Sequence, residues 1–399
     1  MGACTRIRNQ ASPAAIGSAT VNVLIVGDTV RTPELRHEVP LGIPDSFLYA
    51  ELDGRRVVAI SSMESARVDG LGTDLEVHAI EEFGADELRR SGLDPHSYVN
   101  ELASRIVRGL GITEATVPRS FPVGIADVLR FDGVELTVDQ KLFDDRRRRK
   151  SAHELAGIRR AQRAAEAGMA AARDLLHRAE RSSCGLALDG EPLTCELVKQ
   201  HVQTAFLAYG ALAQEMIVSH GPQTAIGHDM GSGQISANDV VLLDLFPVDL
   251  ESSCVADLSR TFVVGDAPDE LREWYRLCRE ALALAVSEVR PGADGGDIHR
   301  LVSEFFAERG FPTLLTKPEG EVLLDGFYHG LGHGVGLEVH ESPSLGMIGE
   351  KLVAGDVITI EPGLYRQGFG GVRVEDLLYV TEDGYELLTD CPYDMEVAT

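Results

Sequence analysis

The sequence is poor in aromatic residues and in positive charge. Of its 399 residues, 6% are aromatic with a single tryptophan, and 37 Lys and Arg stand against 63 Asp and Glu, so the formal net charge is −26. Nucleic acids and anionic membranes are bound through basic surfaces, so neither is expected as the main partner. Most of the acidic side chains are expected to form a solvated surface, and the alternative for a few of them is convergence on a cation.

The sequence also lacks paired cysteines and long apolar runs. It contains no Cys-x-x-Cys motif, and its six cysteines are scattered at Cys4, Cys184, Cys195, Cys254, Cys278 and Cys391. This pattern fits neither a disulfide framework nor a cysteine-ligated zinc site, and it indicates a reducing compartment. No apolar run approaches the roughly 20 residues that span a bilayer, and the first residues lack the apolar region of a signal peptide. We therefore predict a cytoplasmic protein.

The first 140 residues alternate between strand-like and helix-like segments. Strands are predicted at Val21–Gly27 and Leu75–Ile80, and a hairpin at Phe47–Ile60. The hairpin should turn at Asp53-Gly54, a dipeptide that type I′ turns prefer. Apolar residues at helical spacing predict a helix at Pro95–Leu110 that stops at Gly111. Together these features predict a compact α/β unit, and no catalytic constellation is visible in it.

A basic run, Arg146–Lys150, marks a change in texture along the chain. The run is short and has no interleaved aromatic residues, so a solvated linker or an interdomain contact is expected rather than a nucleic-acid patch. The proline-free stretch from Ser151 to Arg181 is rich in Ala, Arg, Glu and Leu and predicts a long helix. We therefore predict two domains, residues 1–148 and residues 149–399.

The predicted second domain mixes helices and strands. Further helices are expected at Pro192–Ala208, Asp269–Val289 and Gly296–Glu308. Segments rich in β-forming residues lie at Val240–Phe246, Cys254–Val264, Asp356–Leu364 and Gly371–Val380. No internal repeat and no low-complexity segment is visible in the sequence.

Two pairs of carboxylates lie in or beside these apolar strands. Asp244 and Asp257 form the first pair, and Glu361 and Glu375 form the second. An acid buried in an apolar strand is costly unless it is paired or binds a metal, and for any single one a salt bridge is the simpler explanation. Four convergent carboxylates would repel one another, whereas two divalent ions would balance them. Oxygen ligands with one imidazole suit manganese, iron, cobalt or zinc.

Three histidines lie within twelve residues, at His329, His333 and His340. In sequence order they stand between the two carboxylate pairs. Glycines at positions 330, 332, 334 and 336 make a helix implausible for this segment. The glycines instead favour an extended or irregular backbone that approaches a ligand closely. A single histidine is usually structural, but three together beside paired acids favour a functional site.

Four sequence strings, taken in this order, resemble one family. They are DLFPVDLESSCVADLSRTFVVG, GFYHGLGHGVGLEVHESP, ITIEPGLY and GGVRVEDLLYVTEDGYELLT. Residues from about 149 to the end resemble the metallopeptidase family of Xaa-Pro aminopeptidases and prolidases, which is related to methionine aminopeptidase. The resemblance implies an α+β architecture, with a pita-bread catalytic domain preceded by a smaller creatinase-like α/β domain.

The resemblance also implies a metal site and its ligands. Five residues match the metal ligands of the family: Asp244, Asp257, His333, Glu361 and Glu375. Asp257 and Glu375 match the ligands that bridge two divalent ions, for which Mn²⁺ is expected and Co²⁺, Zn²⁺ or Fe²⁺ are alternatives.

Four further residues match positions around the substrate in the family. The resemblance makes His329 and His340 the histidines that hold the substrate and stabilise the tetrahedral intermediate, and Glu361 the residue that transfers the proton. His228 matches a histidine that helps to close the substrate pocket. Arg373 is expected in the substrate region, either orienting Glu375 or in an ordinary cross-strand ion pair.

The implied reaction is hydrolysis of the peptide bond before a proline. The substrate is therefore a proline-containing dipeptide or longer peptide, and the family resemblance implies a homodimer. One alternative is a non-peptidase metalloenzyme on the same scaffold, acting as a small-molecule hydrolase or lyase, and another is a non-catalytic interaction module. The sequence departs from the family pattern at Ser253-Cys254, where Gly-Tyr is common, and this bears on substrate preference.

Overall fold

The computed structural model of the protein describes residues 21–397. It divides into two compact units, one made of residues 21–27 and 45–139 and the other of residues 28–44 and 140–397. The predictions about the first residues and Cys4 lie outside the described part of the chain, and the domain boundary after residue 148 stays a prediction.

The first unit contains one mixed six-stranded sheet. Its strands are β1 (Val23–Gly27), β2 (Phe47–Leu52), β3 (Arg55–Ile60), β4 (Leu75–Ala79), β5 (Glu114–Val117) and β6 (Glu135–Val138), in the spatial order β4-β3-β2-β1-β5-β6. Its helices are Ser62–Asp69, Ala85–Arg90, Pro95–Gly109 and Val123–Phe131, with a 3₁₀ helix at Ile80–Phe83. Alternating apolar strand positions such as Leu24 and Leu48 pack in one core with Ile106 and Leu129 from the helices.

The hairpin and the helix predicted in this unit are both confirmed. Strands β2 and β3 are antiparallel and pair Leu52 with Arg55, and the turn residues Asp53 and Gly54 have φ angles of 48° and 81°. Positive φ at both turn positions is what a type I′ turn requires. The helix that begins at Pro95 is followed by Gly111, which has a φ of 72°. This glycine therefore adopts the left-handed conformation that commonly ends a helix.

The second unit is built on long helices and several small sheets. Its helices are Pro33–Glu38, Gln140–Arg148, Ala152–Arg178, Cys195–Ala208, Asp269–Val286 and Gly295–Ala307, with a 3₁₀ helix at Gly221–Ala225. The longest one begins at a capping box, in which the Ser151 hydroxyl accepts from the Glu154 N–H and the Glu154 carboxylate accepts from the Ser151 N–H.

Of the two alternatives predicted for the basic run, the solvated linker is wrong. Most of it lies in the helix Gln140–Arg148, where Arg147 and Arg148 are buried. Arg148 makes a bidentate ion pair with the fully buried Asp356, at 2.9 Å from Nε and 2.7 Å from Nη2. Arg147 pairs with Glu338 at 2.8 Å. Acids from distant segments of the chain compensate these charges, and nothing in the local sequence indicates them.

The segment before the first unit's hairpin belongs to the second unit. Its helix Pro33–Glu38 carries Arg36, which is buried and donates from Nη2 to the Glu251 carbonyl at 2.8 Å and from Nε to the Ser252 carbonyl at 3.2 Å. The neighbouring His37 contacts the Glu154 carboxylate at 2.8 Å. These polar contacts join the segment to parts of the chain that lie much later in the sequence.

The strands of the second unit form five sheets. They are β7 (Glu180–Ser182), β8 (Gly185–Leu188), β9 (Glu191–Pro192), β10 (Ala211–Leu212), β11 (Ile217–His220), β12 (Val240–Leu245), β13 (Val248–Asp249), β14 (Leu258–Val264), β15 (Gly332–Gly334), β16 (Glu341–Leu345), β17 (Val357–Ile360), β18 (Gly363–Arg366), β19 (Gly370–Arg373), β20 (Asp376–Val380), β21 (Tyr385–Leu387) and β22 (Glu396–Val397). Two sheets matter for the site, with the orders β11-β12-β14-β22 and β16-β15-β17-β20-β21. The others are β7-β8-β9, β10-β13 and β18-β19.

Two further observations concern features that the sequence lacks. Across residues 21–397, no helix combines the length and the apolar character needed to cross a membrane. The five cysteines in this range, Cys184, Cys195, Cys254, Cys278 and Cys391, are all free thiols.

Candidate metal centre

The register of two antiparallel strand pairs brings the four carboxylates together in pairs. Asp244 of β12 lies opposite Ser259 of β14, and Asp257 directly precedes β14, so the two aspartates are diagonal neighbours. In the other sheet, Ile360 at the end of β17 pairs with Asp376 at the start of β20. Glu361 directly follows Ile360 and Glu375 directly precedes Asp376, so the two glutamates lie side by side at this end of the strand pair.

A single cavity of about 720 Å³ contains every site residue expected from the sequence. Its lining includes Asp244, Asp257, His333, Glu361, Glu375, His228, His329, His340 and Arg373. The lining also includes Glu215, Phe246 and Tyr328, which sequence analysis did not select. The volume is typical of sites that bind small molecules and short peptides.

The ligand atoms of this cavity are close enough to share metal ions. One ligand atom each from Asp257, His333 and Glu375 lies within 4.8 Å of the other two. His333 Nε2 is 3.8 Å from Asp257 Oδ2 and 3.8 Å from Glu361 Oε1. The buried Oδ1 atoms of Asp244 and Asp257 have no hydrogen-bond partner within the described residues. Unpaired carboxylate oxygens beside an imidazole fit a divalent cation.

The electrostatics of the cluster favour protonated acids when no cation balances them. Burial, together with repulsion from neighbouring carboxylates, raises the pKa of Asp257 and of Glu375 well above their usual ranges. Burial raises the pKa of Glu361 to about 8, and the Asp244 carboxylate adds to this shift. Burial lowers the pKa of His333 to about 4, so its imidazole is neutral and able to bind a metal at pH 7.

Arg373 joins the two strand pairs. Its Nη2 donates to Asp244 Oδ2 at 2.5 Å, and its Nε donates to Ser259 Oγ at 3.0 Å. The Ser259 hydroxyl in turn donates to Glu375 Oε2 at 2.8 Å. Both interpretations left open by the sequence therefore describe this arginine, because it forms a cross-strand ion pair and also reaches Glu375 through Ser259. Contact of Arg373 with a substrate stays a prediction.

Tyr365 is a residue that sequence analysis missed. Its buried hydroxyl accepts from Arg373 Nη1 at 3.2 Å and lies 2.9 Å from His329 Nε2. Because His329 Nδ1 is 2.7 Å from the Gly330 carbonyl and must donate to it, Nε2 accepts the tyrosine proton. Burial and the nearby Arg373 lower the pKa of His329 to about 3, so its ring stays neutral. The sequence could have indicated Tyr365, because it is the last residue of the ITIEPGLY string that contains Glu361.

His340 and His228 are more open than the metal-facing residues. Both side chains are exposed and line the cavity. The His340 ring packs edge to face on His333, with 4.2 Å between ring centroids. Partial burial lowers the pKa of His340, so its ring is neutral at pH 7 and carries one N–H donor.

The alternating glycines allow β15 to fit between its neighbouring strands. A Cβ on Gly332 would overlap the Thr359 carbonyl oxygen, and one on Gly334 would overlap the Ser342 carbonyl oxygen. The extended conformation predicted for this segment is confirmed, because β15 pairs with β16 and β17. The glycines therefore fix the position of His333 between two strands.

The cavity combines four carboxylates, a neutral imidazole and flanking histidines. This combination defines a site of the kind found in metal-dependent hydrolases. Residues 156–382 match the metallopeptidase family M24, and the chain belongs to this family. The matched region therefore has the pita-bread fold of the family, and an α/β domain precedes it, as predicted. The cofactors of the family are divalent metal ions.

One curated relative is an Xaa-Pro dipeptidase from Pyrococcus furiosus. It is 36% identical over 179 residues, which cover 44% of this chain and 47% of the relative. A second, the uncharacterized peptidase YqhT from Bacillus subtilis, is 35% identical over 183 residues, covering 45% of this chain and 48% of the relative. The chain thus spans about half the length of these two relatives.

A solved structure shows the same architecture over almost the whole chain. The prolidase from Pyrococcus horikoshii OT3 matches with a TM-score of 0.73 and 25% identity, covering 94% of this chain and 95% of that protein. The structural neighbours also include X-Pro aminopeptidases, and the family resemblance drawn from the four sequence strings is confirmed.

Proposed function

We propose that this metallopeptidase hydrolyses the peptide bond that precedes a proline, using two divalent ions. The observation that carries the proposal is the convergence of all nine sequence-predicted residues in one cavity, with buried carboxylate oxygens that lack partners. Two of the similar proteins are an Xaa-Pro dipeptidase and a prolidase, and their functions support the same bond specificity.

The metal ions would be held by Asp244, Asp257, His333, Glu361 and Glu375. The hard oxygen donors and the single imidazole suit Mn²⁺, which we propose as the native ion. When bound, divalent ions supply Lewis acidity and lower the pKa of water, so that a nucleophile is available at neutral pH. The homodimer implied by the resemblance stays a prediction.

The chain's own residues would then move the protons. Glu361 lies 3.8 Å from His333 and, once ionised, takes the proton of the attacking water. The same carboxyl group delivers this proton to the leaving proline nitrogen, which has no N–H of its own in the peptide and must gain a proton to leave. Glu361 therefore acts first as a general base and then as a general acid.

The two outer histidines differ in what they can offer the substrate. His340 is exposed in the cavity and neutral, so its N–H can donate to the carbonyl oxygen as negative charge develops there. Both nitrogens of His329 already have partners, the Gly330 carbonyl and the Tyr365 hydroxyl. We propose that His329 holds Tyr365 in place, and its direct contact with substrate stays a prediction.

The test compares peptides with and without a proline in the protein loaded with Mn²⁺. Ala-Pro-Ala should be cleaved after the first alanine, and Ala-Ala-Ala should be cleaved far more slowly. Glu361→Gln should lower kcat by about 10²- to 10⁴-fold, the range expected for loss of a general acid–base group. Glu382→Gln, an exposed acid outside the cavity, is the matched control and should keep full activity. Full turnover by the Glu361→Gln variant with metal bound would refute the assignment.

A further inference from the structure

The loop that carries His340 has little hydrogen bonding of its own. It comprises residues 335–340 and lies between Gly334 of β15 and Glu341 of β16, which pair with each other at its two ends. No described residue forms a hydrogen bond or an ion pair with the His340 side chain, and the ring contact it makes is with His333. The position of this imidazole in the cavity therefore depends on how the loop is held.

Arg147 bridges two acids that stand on either side of His340. Its Nη1 donates to Glu338 Oε2 at 2.8 Å, and its Nη2 donates to Glu341 Oε2 at 2.5 Å. The Glu338 side chain is half exposed, whereas the side chains of Arg147 and Glu341 are each 5% exposed, so the contact with Glu341 is the buried one. One guanidinium thus holds the loop both before and after the histidine.

Lys150 is a second buried cation on the same carboxylate. Its Nζ pairs with Glu341 Oε1 and donates to the Arg147 carbonyl at 2.8 Å, and its side chain is only 2% exposed. Burial raises the pKa of Glu341, but Lys150 and Arg147 outweigh this effect and lower the pKa overall, so the carboxylate is charged at neutral pH. Removing one member of a buried ion pair is strongly unfavourable, so these contacts restrain the end of the loop.

Gly336 makes room for this ion pair inside the loop. A Cβ at this position would lie 2.5 Å from Glu341 Oε1 and 2.7 Å from Lys150 Nζ. The Gly336 carbonyl also accepts from the Val255 N–H at 2.8 Å. The glycines at 332 and 334 face strand carbonyls, whereas this third glycine faces two charged side chains, so the loop packs directly on the ion pair.

Resting on the proposed function, we propose that Lys150 is a positioning residue for His340 and acts through Glu341. Arg147 shares this role from the other side of the carboxylate. The basic run thereby contributes to catalysis without touching the substrate, since it holds the loop that presents the His340 N–H to the developing negative charge. A misplacement of about 1 Å in an active site can cost about a hundredfold in rate, so loosening this loop should lower kcat.

The test begins with Lys150→Met, because methionine keeps an apolar chain and leaves Glu341 its contact with Arg147. In the Mn²⁺-loaded full chain acting on Ala-Pro-Ala, kcat should fall about ten- to hundredfold and KM should change less than threefold. Arg147→Met, which leaves the buried pair of Lys150 and Glu341 intact, should act in the same direction and serves if the first variant does not fold.

Arg148→Met is the matched control. It removes a neighbouring buried cation of the basic run, whose partner Asp356 does not line the cavity. This variant should keep kcat within twofold of the wild-type value at a temperature where circular dichroism shows it to be folded. An equal loss of kcat in Arg148→Met and Lys150→Met would show a general effect of lost stability and would overturn the inference.

A double-variant cycle shows whether the loss passes through His340. His340→Ala should itself lower kcat by about 10²- to 10³-fold, the range for loss of one donor to the oxyanion. Adding Lys150→Met to His340→Ala should then lower kcat less than twofold further, because the group that Lys150 positions is already gone. The same ten- to hundredfold loss in both backgrounds overturns the inference.

Histidine NMR separates this inference from the proposed function. In the full chain labelled with ¹³C at histidine Cε1 and loaded with diamagnetic Zn²⁺, the His340 resonance is the one that His340→Ala removes. It should move or broaden in Lys150→Met and stay unchanged in Arg148→Met. An unmoved resonance, or a kcat of Lys150→Met within twofold of the wild-type value, overturns the inference. If the wild-type protein with Mn²⁺ bound fails to cleave Ala-Pro-Ala, the proposed function is overturned, and the resonance alone decides whether Lys150 positions His340.

Discussion

Metal binding to the carboxylate cluster is expected to release protons at neutral pH. In the metal-free protein, burial and mutual repulsion raise the pKa of Asp257, Glu361 and Glu375, so these acids retain protons that ordinary carboxyl groups lose. A divalent ion requires the ionised form of its ligands. Loading the site therefore exchanges protons for metal.

The size of the release follows from the shifted groups. With a pKa of about 8, Glu361 is about 90% protonated at pH 7, compared with well under 1% for an ordinary glutamate. Asp257 and Glu375 can each add up to one proton, whereas the neutral His333 adds none because its pKa is about 4. We expect about one to three protons released at pH 7 when the site is filled with Mn²⁺.

The same shifts set the pH dependence of stability. Glu361 binds its proton more tightly in the folded protein than in the unfolded chain, and this difference adds to the free energy of unfolding of the metal-free protein. The contribution is complete below about pH 4 and is lost as the pH rises through about 8. The bound metal removes this loss by pairing the carboxylates. The increase in Tm on adding Mn²⁺ should therefore grow between pH 5 and pH 8.

Isothermal titration calorimetry in buffers of different ionisation enthalpy measures the proton count. The Glu361→Gln variant should release about one proton fewer than the wild-type protein at pH 7. Release of fewer than half a proton by the wild-type protein would show that the carboxylates are already ionised without metal, and it would refute the reasoning from burial and repulsion.

Three further predictions concern the residues that support the site. Gly332→Ala should weaken Mn²⁺ binding at least tenfold, because the added Cβ overlaps the backbone of the neighbouring strand, whereas Gly384→Ala has open space and should not change the affinity measured by calorimetry. Arg148→Met should lower the free energy of unfolding in urea by about 3–5 kcal/mol by leaving Asp356 unpaired, and replacing Asp356 with Leu in the same variant should restore much of it. Tyr365→Phe should lower kcat about tenfold with little change in the circular dichroism spectrum, because the hydroxyl that links His329 to the guanidinium is lost; unchanged kcat would refute that link.

Much of the site could be predicted from the sequence because its residues break local patterns. Acids such as Asp244 and Glu361 stand inside or at the end of apolar strands, where they are conspicuous, and the glycine alternation around His333 excludes a helix. Each of these signals is contained within a few residues of the chain. The structure places their side chains in one cavity, and their roles in catalysis remain proposals.

Most of the residues that sequence analysis missed depend on packing between distant segments. Ser259 is an ordinary strand residue, and its importance comes from a hydrogen bond with the Arg373 guanidinium, which lies in another sheet. Tyr365 is the exception, because it lies eight residues before Arg373 on the strand that pairs with it. The buried arginines of the basic run could not be distinguished from exposed ones, since Asp356 lies more than two hundred residues away. Side-chain partners that come from another sheet leave no periodic signal in the local sequence.

The helix Pro33–Glu38 has a consequence for the order of events during synthesis. Arg36 contacts the carbonyl of Ser252, which lies 216 residues further along the chain. At translation rates of 5–20 residues per second, the arginine emerges roughly 10 to 40 s before its acceptor is made. During that interval Arg36 lacks both of its carbonyl acceptors, whereas Glu154, which contacts the neighbouring His37, is made earlier. The second unit is therefore completed only after translation has passed Ser252, even though one of its helices is among the first segments to leave the ribosome.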